Sequence, residues 1–225
     1  MSELRLALVG APNCGKSTLF NGLTGGRAKT ANYAGVTVER RIGRFSTPAG
    51  QTVELIDLPG IYGFSSRTLD ERISVDTILG RNKDEPAPDA LLVLIDTSDI
   101  RTQLHFILQV RDLGLPMILA LNMYDLALRD GVKLDVAELE RRLGVPVVPT
   151  RATRESGRAA LLSRIDQTLI ERASATKTAV RAPRGGHIVR MRVPEDALGL
   201  SLRDTDFRRR YGAHVIAIET EGSEA

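Results

Sequence analysis

Cysteine is scarce in this chain, which has only one, Cys14, among its 225 residues. A single cysteine excludes a disulfide framework and a zinc site built from cysteines. Long apolar runs are missing too, since none approaches the roughly 18 residues that crossing a bilayer requires. The N-terminus also carries no signal-peptide pattern. We therefore expect a soluble protein in a reducing compartment.

A strong excess of one charge is also missing. The formal net charge is +3, and no basic block is long enough to require nucleic acid as a partner. The three histidines, His105, His187 and His214, are scattered and have no metal-ligand spacing. The sequence therefore shows no histidine-based metal site and predicts no nucleic-acid partner.

The strongest positive signal is a phosphate-binding loop at residues 10–17, called the P-loop below. Its sequence, GAPNCGKS, fills every fixed position of the pattern G-x-x-x-x-G-K-[ST]. The apolar run Leu4 to Val9 precedes it, and the helix-forming run Ser17 to Leu23 follows. In such loops backbone N–H groups and the helix N-terminus hold phosphates, the lysine reaches the β- and γ-phosphates, and the serine hydroxyl binds Mg²⁺. This pattern predicts a nucleoside triphosphate ligand, rather than an ordinary glycine-rich turn.

Two further motifs identify the triphosphate. Asn122-Met123-Tyr124-Asp125 has the form N-x-x-D and follows the apolar run Met117 to Leu121. A carboxylate at Asp125 can accept hydrogen bonds from N1–H and the 2-amino group of guanine, whereas adenine offers neither donor. Between the two motifs, Asp57-Leu58-Pro59-Gly60 follows a strand-like segment. Asp57 can hold Mg²⁺ through water, and the Gly60 N–H can contact the γ-phosphate. The position of this segment between the other two motifs favours that role over an ordinary Pro-Gly turn. Together the three motifs predict that the ligand is GTP.

The remaining pattern alternates strands and helices, which predicts an α/β fold of the P-loop NTPase class, with a mostly parallel sheet and helices on both faces. We expect strands at 4–9, 38–46, 51–57, 89–95, 116–122 and 145–148, and helices at 16–24, 69–80, 101–113, 135–143 and 156–172. In the third helix, Leu104, Leu108 and residues 111–113 are expected to lie on one side, which faces the sheet. Ligands of such sheets bind at the carboxyl ends of the strands, where the motifs fall.

Two segments are expected to be mobile loops over the nucleotide. The first is Gly25 to Glu39, in which Thr37 is predicted to complete the Mg²⁺ shell rather than simply open a strand. The second is Ile61 to Thr68. Loops of this kind are held by the γ-phosphate and released on hydrolysis.

The sequence lacks one side chain that GTP hydrolysis commonly uses, a glutamine that orients the attacking water. Ras-like GTPases place a water-orienting glutamine just after the glycine of D-x-x-G, but this chain has Ile61 there. Asn13 is a candidate ligand for a monovalent cation that would supply charge between the phosphates; alternatively, it stabilises the loop as a turn residue. Cys14 has two readings as well: a reactive thiol activated by Lys16 and the helix end, or a small spacer. We expect slow intrinsic turnover.

Residues 1–172 closely resemble the amino-terminal GTPase domain of the FeoB family of bacterial ferrous-iron transporters. The P-loop, Asn32 to Glu39, Asp57 to Gly60 and Asn122 to Asp125 carry the resemblance. It implies GTP-gated Fe²⁺ uptake at the cytoplasmic face of the inner membrane, a membrane permease as partner, and Asn13 as a K⁺ ligand. Ala11 departs from the asparagine that is frequent in the family. Thr150 to Thr153 is a degenerate guanine-supporting loop, in which the resemblance assigns Ala152 as a backbone contact to the base.

The complete assignment for this site is as follows. Nucleotide binding is assigned to Gly10, Ala11, Pro12, Asn13, Cys14, Gly15, Lys16, Ser17, Thr18, Thr37, Asp57, Gly60, Asn122, Met123, Asp125 and Ala152. Mg²⁺ is assigned to Ser17, Thr37 and Asp57, and catalysis to Asn13, Lys16, Thr37 and Gly60.

The chain continues past this domain. Residues 173–186 are predicted to be a polar linker, and residues 187–225 a small α+β segment of strand, helix and strand. That segment resembles the first half of the TrkA carboxy-terminal regulatory domain through Val193-Pro194-Glu195, 199–202 and 208–212; the alternative is a generic tail that docks or dimerises. A homo-oligomer is therefore one expectation. For the whole chain, the alternative to an iron-transport GTPase is a free-standing Era-like GTPase acting on RNA, but the nearly balanced charge of 187–225 favours the former.

Overall fold

A computed structural model describes residues 4–33, 36–64, 68–82, 86–150 and 155–178. The chain divides into two compact units, Met1–Thr178 and Ala179–Ala225, and all the described residues belong to the first. The predicted linker beyond Thr178, the segment 187–225 and Ala152 lie outside the described residues. Across the described part, no helix combines the length and apolar content needed to cross a membrane.

A seven-stranded sheet forms the centre of this unit. Its strands are β1 (Leu4–Val9), β2 (Ala28–Asn32), β3 (Glu39–Ser46), β4 (Thr52–Asp57), β5 (Ala90–Asp96), β6 (Met117–Asn122) and β7 (Val147–Pro149). They lie in the order β2-β3-β4-β1-β5-β6-β7. Neighbouring strands pair in parallel along the series β4-β1-β5-β6-β7, whereas β2–β3 and β3–β4 pair antiparallel. The predicted mostly parallel sheet is confirmed.

Within the described residues, six helices connect or flank the strands. They are α1 (Lys16–Thr24), α2 (Leu69–Ile78), α3 (Ile100–Asp112), α4 (Tyr124–Arg129), α5 (Val136–Leu143) and α6 (Glu155–Thr178), and a 3₁₀ turn covers Thr97–Asp99. Local sequence explains several ends. Thr68 and Glu71 form a capping box at α2, Asp135 caps α5, and Gly144 ends α5 with a φ of 68°.

Alternate residues of the central strands face opposite layers of helices. On one face, α1 and α6 contribute Leu19, Phe20, Leu161 and Ile165 to a buried cluster with Leu6, Leu8, Leu55, Leu92, Leu94 and Ile118. On the other, α3 packs against β5. The α1 helix lies so close to β3 that a Cβ on Gly43 would stand 2.9 Å from Cζ of Phe20. Cys14 of the P-loop belongs to the same buried cluster, so the core on this face extends to the P-loop.

Four sequence expectations need correction. Residues 28–32 of the expected mobile loop form β2, an edge strand paired in register with β3. The short helix α4 was not expected, and α6 continues to Thr178 into the expected linker. The buried side of α3 is formed by Gln103, Phe106, Ile107 and Val110, whereas Leu104 is 40% exposed.

Candidate nucleotide-binding site

The motifs meet because four parallel strands end at the same edge of the sheet. The β1–β4 register pairs Leu8 with Asp57, and the β5–β6 register pairs Asp96 with Asn122. The P-loop leaves β1 at this edge, and α4 begins there just after β6. The phosphate, D-x-x-G and N-x-x-D motifs therefore share one site, as expected from their order in the chain.

Glycines permit the close packing of the P-loop. A Cβ at Gly10 would collide with the carbonyl oxygen of Leu94 on β5. Gly15 has a φ of 98°, a left-handed conformation that favours glycine, and its missing Cβ leaves room for the Asn122 side chain. The Lys16 ammonium donates to the carbonyls of Gly10 at 3.1 Å and Ala11 at 3.0 Å. These contacts hold the lysine at the loop itself, where it can meet phosphate oxygens.

Helix α1 presents its N-terminus beside this lysine. Gly15 occupies the N-cap position without a side-chain cap, and the first turn contains no acidic residue. Because the first N–H groups of a helix have no partner within the helix, they and the helix dipole attract anions. Ser17 and Thr18 are exposed on this turn. This end of α1 is therefore suited to phosphate.

Asn122 joins the base-recognition motif to the P-loop. Its Nδ2 donates to the carbonyl oxygen of Cys14 at 2.9 Å, and the residue is 2% exposed. Its own carbonyl accepts a hydrogen bond from the Thr97 hydroxyl at 2.6 Å. Asn122 was predicted as a nucleotide contact, and the structure shows a hydrogen bond that braces the P-loop against the end of β6. Thr97 was missed, because nothing in its sequence neighbourhood marks it.

The base-recognition helix follows directly. Met123 has a φ of 55° and occupies the N-cap position of α4, which places Asp125 in the first turn. The Asp125 carboxylate is 24% exposed and lies 3.7 Å from the Arg129 guanidinium, one turn along. A partly exposed carboxylate at a strand-to-helix turn remains accessible to a purine edge.

Asp57 is the clearest candidate for a metal-binding role. Its side chain is 10% exposed, and Oδ1 is buried without a hydrogen-bond partner. Burial raises the pKa of this carboxyl, while the charges of Lys16 and Arg41 act in the opposite direction. Mg²⁺ prefers oxygen ligands, so a buried carboxylate oxygen with no protein partner fits such an ion. The exposed Ser17 hydroxyl supplies the same kind of donor.

Thr37 lies at the correct edge of the sheet. The loop between β2 and β3 is closed by the Tyr33 N–H, which donates to the Val38 carbonyl at 3.0 Å. Since β3 runs antiparallel to β4 with Arg41 opposite Asp57, this loop lies beyond the end of β4 that carries Asp57. Thr37 itself is exposed. Its role as a ligand stays a prediction.

The segment after Asp57 is packed tightly against the P-loop. A Cβ on Gly60 would stand 2.8 Å from Cγ of Pro12. The Ile61 N–H donates to the Gly10 carbonyl at 3.1 Å, and the Ile61 side chain is fully buried. Ser74 of α2, a residue that the sequence analysis missed, donates to the Pro59 carbonyl at 2.9 Å. Ile61 therefore belongs to the core, and its apolar side chain has no group that could orient a water.

Asn13 and Cys14 differ in their exposure. Asn13 is exposed, with a φ of 65°, a left-handed conformation that asparagine tolerates better than most residues. Cys14 is buried, and burial raises its pKa even though Lys16 acts to lower it. Cys14 belongs to the buried core cluster that also includes Leu19 and Leu94. This geometry favours the spacer reading of Cys14 over the reactive one.

Comparison with known proteins places this geometry in a family. A family model described as ferrous iron transport protein B matches residues 4–165. The Fe(2+) transporters FeoB of Salmonella typhimurium and Escherichia coli K12 are 45% and 43% identical to the chain over 171 residues. Each alignment covers 74% of this chain but only 21% of the relative, so the chain spans a small part of its curated relatives.

Solved structures show the same architecture. The cytosolic domain of L. pneumophila FeoB is 35% identical, with a TM-score of 0.66, over 73% of this chain and 68% of that one. The G domain of T. maritima FeoB is 34% identical, with a TM-score of 0.65, over 76% of this chain and 99% of that one. The cytosolic domain of T. maritima FeoB in a GMPPNP form is 36% identical, with a TM-score of 0.65, over 75% of this chain and 63% of that one. The sheet and its flanking helices are thus those of a P-loop G domain.

Proposed function

The chain belongs to the FeoB family through its amino-terminal G domain, and from that premise we propose that it binds GTP and hydrolyses it to GDP. One observation carries the proposal for GTP: the bond from Asn122 to the Cys14 carbonyl ties the guanine-recognition motif to the P-loop. A purine read by Asp125 would then have its phosphates directed toward Lys16 and the N-terminus of α1. The relatives solved in GMPPNP and GDP forms support the same ligand.

Asp125 tests the base directly. The Asp125→Asn variant should lose GTP affinity and gain affinity for xanthosine triphosphate, because the amide reverses the hydrogen-bonding pattern offered to the purine. Asp130→Asn, at the exposed far end of α4, is a matched control that should bind GTP like the wild type. Calorimetric titration with both nucleotides decides, and unchanged GTP affinity in Asp125→Asn would remove this residue from the base pocket.

Mg²⁺ is assigned to Ser17, Asp57 and Thr37. When bound, the ion would neutralise charge on the β- and γ-phosphates. Ser17 and Asp57 meet this role through an exposed hydroxyl and a buried, unpartnered carboxylate oxygen. Thr37 would join them when its loop closes over the nucleotide. Lys16 would hold the phosphate oxygens, and the Gly60 N–H would contact the γ-phosphate.

Slow turnover that K⁺ accelerates is the expected kinetic behaviour, because buried Ile61 leaves the water-orienting role unfilled. If Asn13 binds K⁺, GTP turnover should be severalfold faster in K⁺ than in Na⁺ buffer. Asn13→Gly should abolish the difference while keeping nucleotide affinity, since glycine accepts the observed φ of 65° without an amide. Equal turnover in both buffers would refute a K⁺ site, and a retained K⁺ effect in Asn13→Gly would leave Asn13 only a turn role.

We further propose that the domain regulates ferrous-iron transport at the cytoplasmic face of the inner membrane, with a permease portion as its partner. The family assignment favours this function over an Era-like GTPase acting on RNA. The test is a chimera in which residues 1–172 replace the matching segment of the Escherichia coli transporter. Fe²⁺ uptake should be supported by the chimera and lost with Lys16→Ala. If the folded, GTP-binding chimera supports no uptake, this chain does not serve that partner.

The structure and role of the carboxy-terminal segment, residues 187–225, remain predictions. Its TrkA-like residues lie beyond the matched range of 4–165, and a role in ligand binding or homo-oligomer formation rests on the sequence alone. Light scattering of the full chain and of residues 1–178 would test an oligomeric role: equal masses per chain would remove it.

A further inference from the structure

Arg41 of β3 is placed opposite Asp57 by the strand register. The β3–β4 pairing sets Arg41 directly across from Asp57, and Nη1 of the arginine lies 3.6 Å from Oδ2 of the carboxylate. The side chains are 30% and 10% exposed, respectively. This cation therefore faces one oxygen of the carboxylate whose other oxygen, Oδ1, has no partner.

Helix α1 holds the guanidinium in that place. Nη2 donates to Oδ1 of Asn21 at 3.0 Å, and the guanidinium carbon lies 4.8 Å from the centre of the Phe20 ring. Gly43 lies two residues along β3 and thus on the same face, where its missing side chain lets Phe20 approach the strand. A planar guanidinium that stacks on a ring and donates to an amide is more restrained than a surface arginine in solvent.

We propose that Arg41 competes with the divalent cation for the Asp57 carboxylate and so sets the magnesium dependence of nucleotide retention. This inference rests on the proposed Mg²⁺ site. A fixed positive charge 3.6 Å from Oδ2 repels a second cation at the same carboxylate and stabilises the protein when the cation is absent. Arg41 acts through Asp57, so it is a positioning residue and not a catalytic one.

The same pair of strands provides a matched control. Arg44 lies opposite Glu54 in the register, with Nη2 also 3.6 Å from a carboxylate oxygen. Glu54 keeps a second partner, because Nε of Arg5 donates to it at 2.9 Å. The Arg44→Gln variant therefore removes an equal charge from the same strand, away from the motif-bearing edge.

The experiment compares the release of fluorescent GDP from the full chain in Mg²⁺ and in EDTA. The dissociation rate in EDTA divided by the rate in Mg²⁺ measures how strongly the cation retains nucleotide. Arg41→Gln should raise this ratio about 1.5-fold to fivefold, the range expected for one partly exposed ion pair. Arg44→Gln should leave it unchanged. Arg41→Lys, which keeps the charge and the aliphatic stem, should fall between Arg41→Gln and the wild type and guards against a folding defect.

The outcomes separate the inference from its premise. If wild-type protein shows no difference between Mg²⁺ and EDTA, the proposed Mg²⁺ site is wrong. If the wild type responds but Arg41→Gln and Arg41→Lys do not change the ratio, the competition is refuted while the site stands. A lower ratio in Arg41→Gln would also refute it, since Arg41 would then help to retain the cation.

Discussion

Replacing Asn122 with alanine removes the bond that braces the P-loop against β6. In the structure, Nδ2 of Asn122 donates to the Cys14 carbonyl at 2.9 Å in a buried position. The substitution deletes this donor and leaves a buried carbonyl oxygen without its partner. The hydrogen bond from Thr97 persists, because it ends on the backbone carbonyl of residue 122.

The size of the effect follows from the burial. Leaving a buried acceptor unsatisfied costs about 1–3 kcal/mol. We therefore expect Asn122→Ala to lower the free energy of unfolding by about 2 kcal/mol. Since each 1.4 kcal/mol corresponds to about tenfold in a binding constant, a P-loop that bears the whole loss would bind GTP about thirtyfold more weakly.

Asn82 supplies the comparison. Its Nδ2 donates to the Thr77 hydroxyl, also at 2.9 Å, in a partly buried position beyond α2. Asn82→Ala should lower stability by about 1 kcal/mol and leave GTP affinity unchanged. Urea unfolding and calorimetric titration of both variants provide the two measurements. If Asn122→Ala binds GTP like the wild type, the bond does not organise the P-loop, whatever its effect on stability.

Two further predictions concern single side chains. Because burial raises the pKa of Cys14, iodoacetamide should label the thiol more slowly in the native protein than in guanidinium. Equally fast labelling of the native protein would instead support a reactive thiol. Hydrogen bonds from Arg141 and, to a smaller extent, Arg142 lower the pKa of Glu138 from 4.5 to about 2. The ionised carboxylate therefore stabilises the folded protein fully at pH values above the pKa of Glu138 in the unfolded chain, and this stabilisation is lost as the pH falls toward 2. Carboxyl NMR titration should show the low value and its rise in concentrated salt, since Glu138 is exposed; a value near 4.5 at low salt would contradict the ion pairs.

The parallel centre of the fold was predictable because its strands are buried on both faces. β5 and β6 are almost uninterrupted apolar runs, and the structure buries every residue of both except Asp96 at the end of β5, which is half-buried. β2 was missed because its sequence, AKTAN, has no apolar alternation. Backbone pairing with β3 holds this edge strand, and hydrophobic patterning carries no signal for that interaction.

The site was predictable where a motif fixes both residue type and spacing, as in the P-loop. It was not predictable where the contact depends on strand register or on polar burial. The pairing of Arg41 with Asp57 requires the antiparallel alignment of β3 with β4, which no local pattern reveals. On α3, the buried residues include Gln103 and Gln109, so an assignment based on leucines chose the wrong side.

Two hydrogen bonds restrain the segment that follows Asp57, and they limit how it could move when a nucleotide binds. Ile61 is fixed by its buried side chain and by its bond to Gly10, whose carbonyl also accepts from Lys16. Pro59 is tied to α2 through the Ser74 hydroxyl. A γ-phosphate drawing on Lys16 and the Gly60 N–H would therefore pull on bonds that already connect the P-loop to α2. We therefore predict that any nucleotide-driven movement of this segment either carries α2 with it or breaks the hydrogen bond from Ser74 to Pro59.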